Sequence, residues 1–215
     1  MERVIQERKI LAPDVFDSNR IEQGAYELSL GREAYVTTDS IKAILDEETH
    51  GNMQVTIEPG EFAMLLTEEK VNMTDDSIGF ISIRSKFKFR GLINVSGFHV
   101  DPGYEGHLKY SVYNAGGQEI TLTRGDRMFP LWLSTLDDDT RDPYPDPDPA
   151  TRERSSITST DMGKLHGTPV SPSALEDRIR KIETRVNVAT GFVVLAAIAF
   201  LALVIQIIQV LQNLG

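Results

Sequence analysis

The sequence has no cysteine, one tryptophan and four histidines in 215 residues. Without cysteine, disulfides, thiolate metal sites and cysteine nucleophiles are excluded. His50, His99, His107 and His166 are scattered with no HExxH-type spacing, so a structural zinc site is excluded too and no protein-held metal is expected. Basic residues are also scarce: 22 Lys and Arg stand against 32 Asp and Glu, a formal charge of −10. That balance disfavours nucleic acid as the main partner, because phosphate-backbone binding needs a basic face. The opening stretch MERVIQERKILAPD has no apolar run, so no cleavable signal peptide is expected and the first domain should stay in the cytosol.

What is present divides into parts of different composition. Residues 1–136 carry short runs rich in Val, Ile, Phe, Tyr, Leu and Thr at 34–38, 54–57, 62–67, 79–83, 108–113, 120–122 and 128–133. Turn signals such as Pro-Gly, Asn-Ala-Gly-Gly and Arg-Gly-Asp bound several of them, which predicts an all-β sandwich or barrel. One helical patch is expected at 39–48. Residues 137–172 begin as DDDTRDPYPDPDPA, acidic with alternating prolines, and continue through a polar Ser/Thr stretch. Alternating proline favours extended polyproline II, so this reads as a stiff, solvated linker. Within it MGKLHGTPVSP has apolar and glycine residues able to dock on the domain, and the sequence leaves that open.

From Ser173 the pattern turns helical, with SALE (173–176) fitting a capping box. Apolar residues then recur at alternating steps of four and three, from Leu175 through Val186 and Phe200 to Leu214. Such a seam predicts a parallel coiled coil. No charge follows Val186, and FVVLAAIAFLALVIQIIQVL is long enough to cross a hydrocarbon core of roughly 30 Å. The expectation is a coiled-coil stalk over 173–188 and a single-pass C-terminal transmembrane anchor over 189–212. Arg178, Arg180, Lys181 and Arg185 precede the span, which puts the β domain on the cytoplasmic side.

The chemistry concentrates in GFISIRSKFKFRGLINVSGFHVDPGYEGHLKYSVYNAG (79–116). Together with IEQGAYELSLG (21–31), IEPGEFAMLLTEEKVNMTDD (57–76) and ITLTRGDRMFPLWL (120–133), it resembles the superfamily of trimeric dUTPases and dCTP deaminases, in the family's order and over nearly the whole β domain. The resemblance implies an all-β distorted barrel or jelly roll, assembled as a homotrimer with sites at subunit interfaces. It further implies a deoxynucleoside triphosphate as ligand and Mg²⁺ carried on its phosphates.

Arg84 and Ser85 match the Arg-Ser that opens the phosphate-binding motif, and a guanidinium with a hydroxyl suits phosphate oxygens. Lys86, Lys88 and Arg90 add positive charge there, although alternating Lys and Phe also read as an amphipathic strand. Asp101 to Gly106 match the DPGYxG hairpin, in which the resemblance gives Asp101 the activation of water and Tyr104 the selection of deoxyribose. Gly97 is assigned to the same substrate site. The plainer reading of Asp-Pro-Gly, a hairpin turn, is compatible with both roles.

Three departures bear on activity. Ser111 stands ten residues after Asp101, where the deaminases carry the glutamate that activates water, and a hydroxyl cannot replace a carboxylate base. Pro130 stands where a glutamine is usual and offers neither side-chain amide nor backbone donor. The glycine-rich closing arm of the dUTPases is replaced by the linker and anchor, while GKLHGTPVSP (163–172) has a faint likeness to deaminase tails. His99 reads as a surface or packing histidine, and Trp132 as core or trimer interface. Two functional classes therefore compete: a membrane-tethered enzyme hydrolysing dUTP or acting on dCTP, and a catalytically inactive nucleotide-binding or scaffold module clustered on a membrane.

Overall fold

The computed structural model describes residues 1–39, 42–137, 156–165 and 172–213. By compactness the chain forms two units, Met1–Pro169 and Val170–Gly215. The first is mostly β. Its strands are β1 (Ile21–Glu22), β2 (Ala25–Val36), β3 (Ala43–Ile44), β4 (Gln54–Ile57), β5 (Phe62–Asn72), β6 (Ser77–Ile81), β7 (Leu92–Asn94), β8 (His99–Val100), β9 (Glu105–Asn114), β10 (Ile120–Thr123) and β11 (Arg127–Thr135). Helical turns are α1 (Glu2–Glu7), α2 (Glu47–His50), α3 (Ser85–Lys88) and α4 (Ser159–Leu165).

Seven strands follow one path, β7-β9-β5-β2-β11-β6-β8, with β1 and β3 added at β2 and the pair β10-β4 as a second sheet. Every pairing is antiparallel. Register shifts interrupt β2 against β5, β5 against β9 and β2 against β11. Each such irregularity bends and twists its strand, which curls the long sheet into a half-barrel. Gly31 sits at one of them, where a β-carbon would come within 2.5 Å of the Thr67 carbonyl oxygen. Only glycine allows β2 and β5 to approach so closely.

Along β9 the side chains alternate between core and outer face, with Leu108, Tyr110 and Val112 buried and His107, Lys109, Ser111 and Tyr113 on the other side. Tyr110 stacks on Phe129 of β11 at 3.8 Å between ring centroids, inside a core that also holds Tyr26, Leu28, Leu30 and Leu65. Burying an apolar side chain such as Phe129 contributes about 1.5–3 kcal/mol. Glu69 is the deepest carboxylate in the core region, 1% exposed, and its oxygens are taken by Arg20 and the Ser29 amide. Pairing is what makes such a buried charge tolerable.

Two local expectations are corrected. The helical patch at 39–48 is instead β3 followed by the four-residue α2: Ala43 and Ile44 pair with Ala34 and Glu33, and the Leu45 amide donates to Arg32 at 2.7 Å. Pairing against β2 outweighs a modest helix propensity over so short a stretch. Similarly, Ser85–Lys88 is a helical turn and not an alternating strand. Phe87 is buried while Phe89 is 89% exposed. Residues two apart share a face in a strand but lie nearly opposite in a helix.

The second unit holds α5 (Pro172–Asn213). It starts on proline, whose fixed φ and missing N–H suit the first helical turn. The capping side chains expected at Ser173 and Glu176 lie outside those described. At 1.5 Å per residue, 42 residues make a helix of about 63 Å. Among the described residues it is the one helix long and apolar enough to cross a membrane, over Arg178–Gln209, and its most apolar 18-residue stretch has a mean hydropathy of 2.8.

Candidate functional site

The DPGY sequence builds a tight turn. Pro102 occupies its second position, Gly103 its third at φ +76°, and the Tyr104 amide donates to the Asp101 carbonyl at 3.2 Å. These are the requirements of a type II turn. Tyr104 is fixed from both ends, its hydroxyl donating to the His107 carbonyl at 2.7 Å and its own carbonyl accepting from Met73 N at 2.8 Å. The turn joins β8 to β9 and forms one wall of a cleft.

Gly97, His99, Asp101 and Tyr104 line that cleft together with Leu108 and Lys109. Three of the residues expected at the site, Gly97, Asp101 and Tyr104, are therefore brought together. A β-carbon on Gly97 would meet nothing within 4 Å, so the chain needs no glycine there for its own packing. β7 pairs with β9 only at Leu92–Asn94, with Val95 N and Ser96 N both donating to the Ser111 carbonyl beyond it. Residues 106–110 thus have no strand on that side among the described residues, which leaves their backbone edge facing the cleft.

The sequence reads His99 as a surface or packing residue. Its Nε2 lies 3.2 Å from Asp101 Oδ1, and both side chains are about half exposed at the cleft. A His-x-Asp spacing at the end of a short strand, where the chain is still extended, puts both side chains on one face, which is the signal that could have found the pair. The Phe98 ring packs edge-on against His99 at 5.0 Å.

Arg84 and Ser85 line a separate cleft with Glu22, Glu27, Lys88, Pro130 and Trp132. Arg84 Nη2 lies 2.9 Å from Glu22 Oε2, and Nη1 pairs with Glu27. Burial pushes the Glu27 carboxyl above its ordinary value even though Arg84 draws it down. Pro130 has a structural consequence here. Its carbonyl accepts from Ser82 N at 3.2 Å, but it has no N–H to return, and regular pairing of β6 stops at Ile81. The chain then leaves the strand and turns into α3, where Arg84 stands as N-cap.

Between the two clefts runs an exposed aromatic strip. Trp132 on β11 faces Phe80 on β6, which in turn faces His99 on β8. The Phe80 and Phe98 rings stack at 6.4 Å. Trp132, Phe80 and Phe98 are 40%, 39% and 65% exposed. Trp132 is thus no core residue.

Comparison with known proteins agrees with this architecture. A family model described as dCTP deaminase-like matches residues 1–136. The dCTP deaminase of Pyrococcus horikoshii is 34% identical over 137 residues, 64% of this chain and 83% of that protein. A relative named dCTP deaminase, dUMP-forming, from Methanobrevibacter smithii is 26% identical over 157 residues, covering 66% and 81%. The crystal structure of the 2′-deoxycytidine 5′-triphosphate deaminase from Agrobacterium tumefaciens superposes with a TM-score of 0.51 at 14% identity, over 62% of this chain and 46% of that longer one. The likeness shows the fold, and the fold implied by the sequence resemblance is the one observed. The chain belongs to the dCTP deaminase-like family.

Proposed function

We propose that the protein is a membrane-tethered homotrimer that binds deoxynucleoside triphosphates between copies and hydrolyses dUTP to dUMP and pyrophosphate. The carrying observation is the convergence of Gly97, Asp101 and Tyr104 on one cleft, with His99 Nε2 3.2 Å from the Asp101 carboxylate. Asp101 takes the proton of a water that attacks the α-phosphorus, and pyrophosphate leaves. His99 holds the carboxylate, and Tyr104 packs on the sugar. The name of the Methanobrevibacter relative couples deamination to dUMP formation, which supports a hydrolytic outcome within this family. Deamination is disfavoured here because Ser111 supplies a hydroxyl in place of a carboxylate base.

Assembly is supported by the division of the expected residues between two clefts joined by the aromatic strip. Contact through Trp132, Phe80 and Phe98 would cover apolar surface and bring Arg84 and Ser85 of one copy toward Asp101 of the next. Among the described residues no group of three or more His, Asp or Glu converges into a metal cage. Mg²⁺ would come bound to the triphosphate as part of the substrate and would supply charge neutralisation there. The apolar run of α5 anchors the chain in a membrane, with the basic residues before it and the β domain on the cytoplasmic side.

A second reading, an inactive nucleotide-binding module, is favoured by Arg84, which is already paired with Glu22 and Glu27. Incubating the detergent-solubilised chain with dUTP or dCTP and Mg²⁺ separates the two. Release of dUMP and pyrophosphate, lost in Asp101→Ala, is expected; intact nucleotide in both proteins would leave the binding module. Truncation after Thr184 should move the protein to the soluble fraction, and full-length chain that stays soluble without detergent would remove the anchor.

A further inference from the structure

The segment 156–165, between the acidic proline-rich stretch and α5 in sequence, returns to the β domain. Ile157 is 2% exposed and packs with Tyr35, Met64 and Leu66, with Met162 alongside. Its amide donates to Glu33 Oε2 at 2.7 Å, and Lys42 Nζ bridges Glu33 Oε2 at 2.9 Å and the Ile157 carbonyl at 3.2 Å. α4 then begins with a reciprocal cap. Asp161 N donates to Thr158 Oγ1 at 3.1 Å, and Asp161 Oδ2 accepts from Thr158 N at 3.1 Å.

The same Asp161 Oδ2 lies 2.6 Å from Lys109 Nζ, with both side chains partly exposed, at 17% and 24%. Lys109 is the one lysine or arginine lining the Asp101 and Tyr104 cleft. It stands two residues before Ser111 on the same face of β9. The one cationic side chain bordering this cleft is thus paired with a carboxylate from outside the strands that build it, one that does not itself line the cleft.

We propose that Lys109 positions a phosphate group of the bound nucleotide and that Asp161 is its built-in competitor, so that nucleotide binding and docking of segment 156–165 oppose each other. The inference rests on the reading of the cleft as a nucleotide site. A triphosphate entering the cleft meets an ammonium already neutralised and a carboxylate of its own sign next to it. Releasing Asp161 removes both obstacles. Because coupling between two equilibria is reciprocal, whatever loosens the segment tightens nucleotide binding, and nucleotide loosens the segment by the same factor.

The test uses the full chain in detergent with Mg²⁺ and non-hydrolysable α,β-imido-dUTP, followed by calorimetry and by amide hydrogen exchange at residues 156–162. Asp161→Asn, which keeps the cap geometry and loses the charge, is expected to bind roughly fivefold tighter, the scale of a partly exposed ion pair. Lys109→Met is expected to bind more weakly than wild type and to cancel the effect of Asp161→Asn when the two are combined. In the wild type, nucleotide should speed exchange at Ile157, a readout that depends on no variant folding. Wild type that binds while Asp161→Asn matches its affinity and Ile157 exchange stays unchanged would overturn the competition and leave the nucleotide site standing. No binding by wild type or Asp161→Asn would overturn both.

Discussion

Arg84 is paired with Glu27, a carboxylate only 5% exposed on β2, and with the more open Glu22. The residue whose sequence context assigns it to phosphate thus has protein partners in the single chain. A guanidinium can serve two carboxylates and still present a free edge, since it carries five donors. The pairing also gives Arg84 a structural duty separate from any ligand, because Glu27 would otherwise be a buried, uncompensated charge.

Replacing Arg84 with Met should therefore cost stability, by about 1–3 kcal/mol for a buried carboxylate left without its partner. The pH dependence has a definite sign. Burial already raises the Glu27 carboxyl above its ordinary value, so the folded state binds more protons than the unfolded one as pH rises through that ordinary range. Its contribution to stability consequently falls with rising pH, and removing the cation deepens the fall. Thermal unfolding followed by circular dichroism should show a larger loss for Arg84→Met at pH 8 than at pH 5. An equal loss at both would mean that the pair is not electrostatic in origin.

Gly97 offers a cleaner separation of fold from binding. Nothing stands within 4 Å of a β-carbon built there, yet the residue lines the Asp101 cleft. Gly97→Val should leave stability within about 0.5 kcal/mol of wild type, as an unobstructed surface change does. Its methyl groups would occupy space that the nucleotide needs, raising KM about tenfold, the scale of a misfit of one or two carbons. Steady-state kinetics with dUTP checks this, and an unchanged KM would take Gly97 out of the site.

The docked segment 156–165 should detach in acid. Burial raises the Glu33 carboxyl, but hydrogen bonds from Ile157, Lys42 and Ser156 outweigh it and hold the group below its ordinary value. Asp161 is likewise raised by burial and brought lower overall by Lys109 and Thr158. A depressed carboxyl contributes stability that is complete above its unfolded value and disappears as pH falls through the folded one. Docking should accordingly hold from pH 8 down to about 5, begin to weaken near about pH 4, where free carboxyls protonate, and be lost further into acid as the two depressed carboxyls take up protons. The methyl resonance of Met162 would report it, moving toward a solvent-exposed position only in that acid range. A shift centred near neutrality would point to another titrating group.

How far the sequence carried these conclusions depended on the range of the interactions involved. The runs at 54–57, 62–67, 108–113 and 128–133 fall inside β4, β5, β9 and β11 because alternation and turn chemistry are local properties. The DPGY turn was legible for the same reason. Segments whose structure depends on a distant partner were not. Ala43 and Ile44 became a strand only because β2 offers an edge, and Ile157 is buried only because Tyr35, Met64 and Leu66 leave a place for it. Asp161 and Lys109 are 52 residues apart, and no periodicity links them. His99 lay between these cases, since its neighbour Asp101 is local but its exposure to the cleft depends on where β8 sits against β6.

That geometry makes His99 the sharpest test of the hydrolytic reading. If it holds the Asp101 carboxylate toward water, its loss should affect turnover and spare binding. His99→Gln, which keeps a donor on a more flexible stem, is expected to lower kcat for pyrophosphate release by roughly tenfold, less than the 10²- to 10⁴-fold expected when the base itself is removed. KM should stay within about twofold, since an interaction used only in the transition state leaves substrate affinity alone. A residue that merely packs Phe98 would behave differently, with a lower melting temperature and KM and kcat drifting together. Equal turnover in His99→Gln and wild type, with Asp101→Ala inactive, would leave Asp101 as a base that needs no orienting partner.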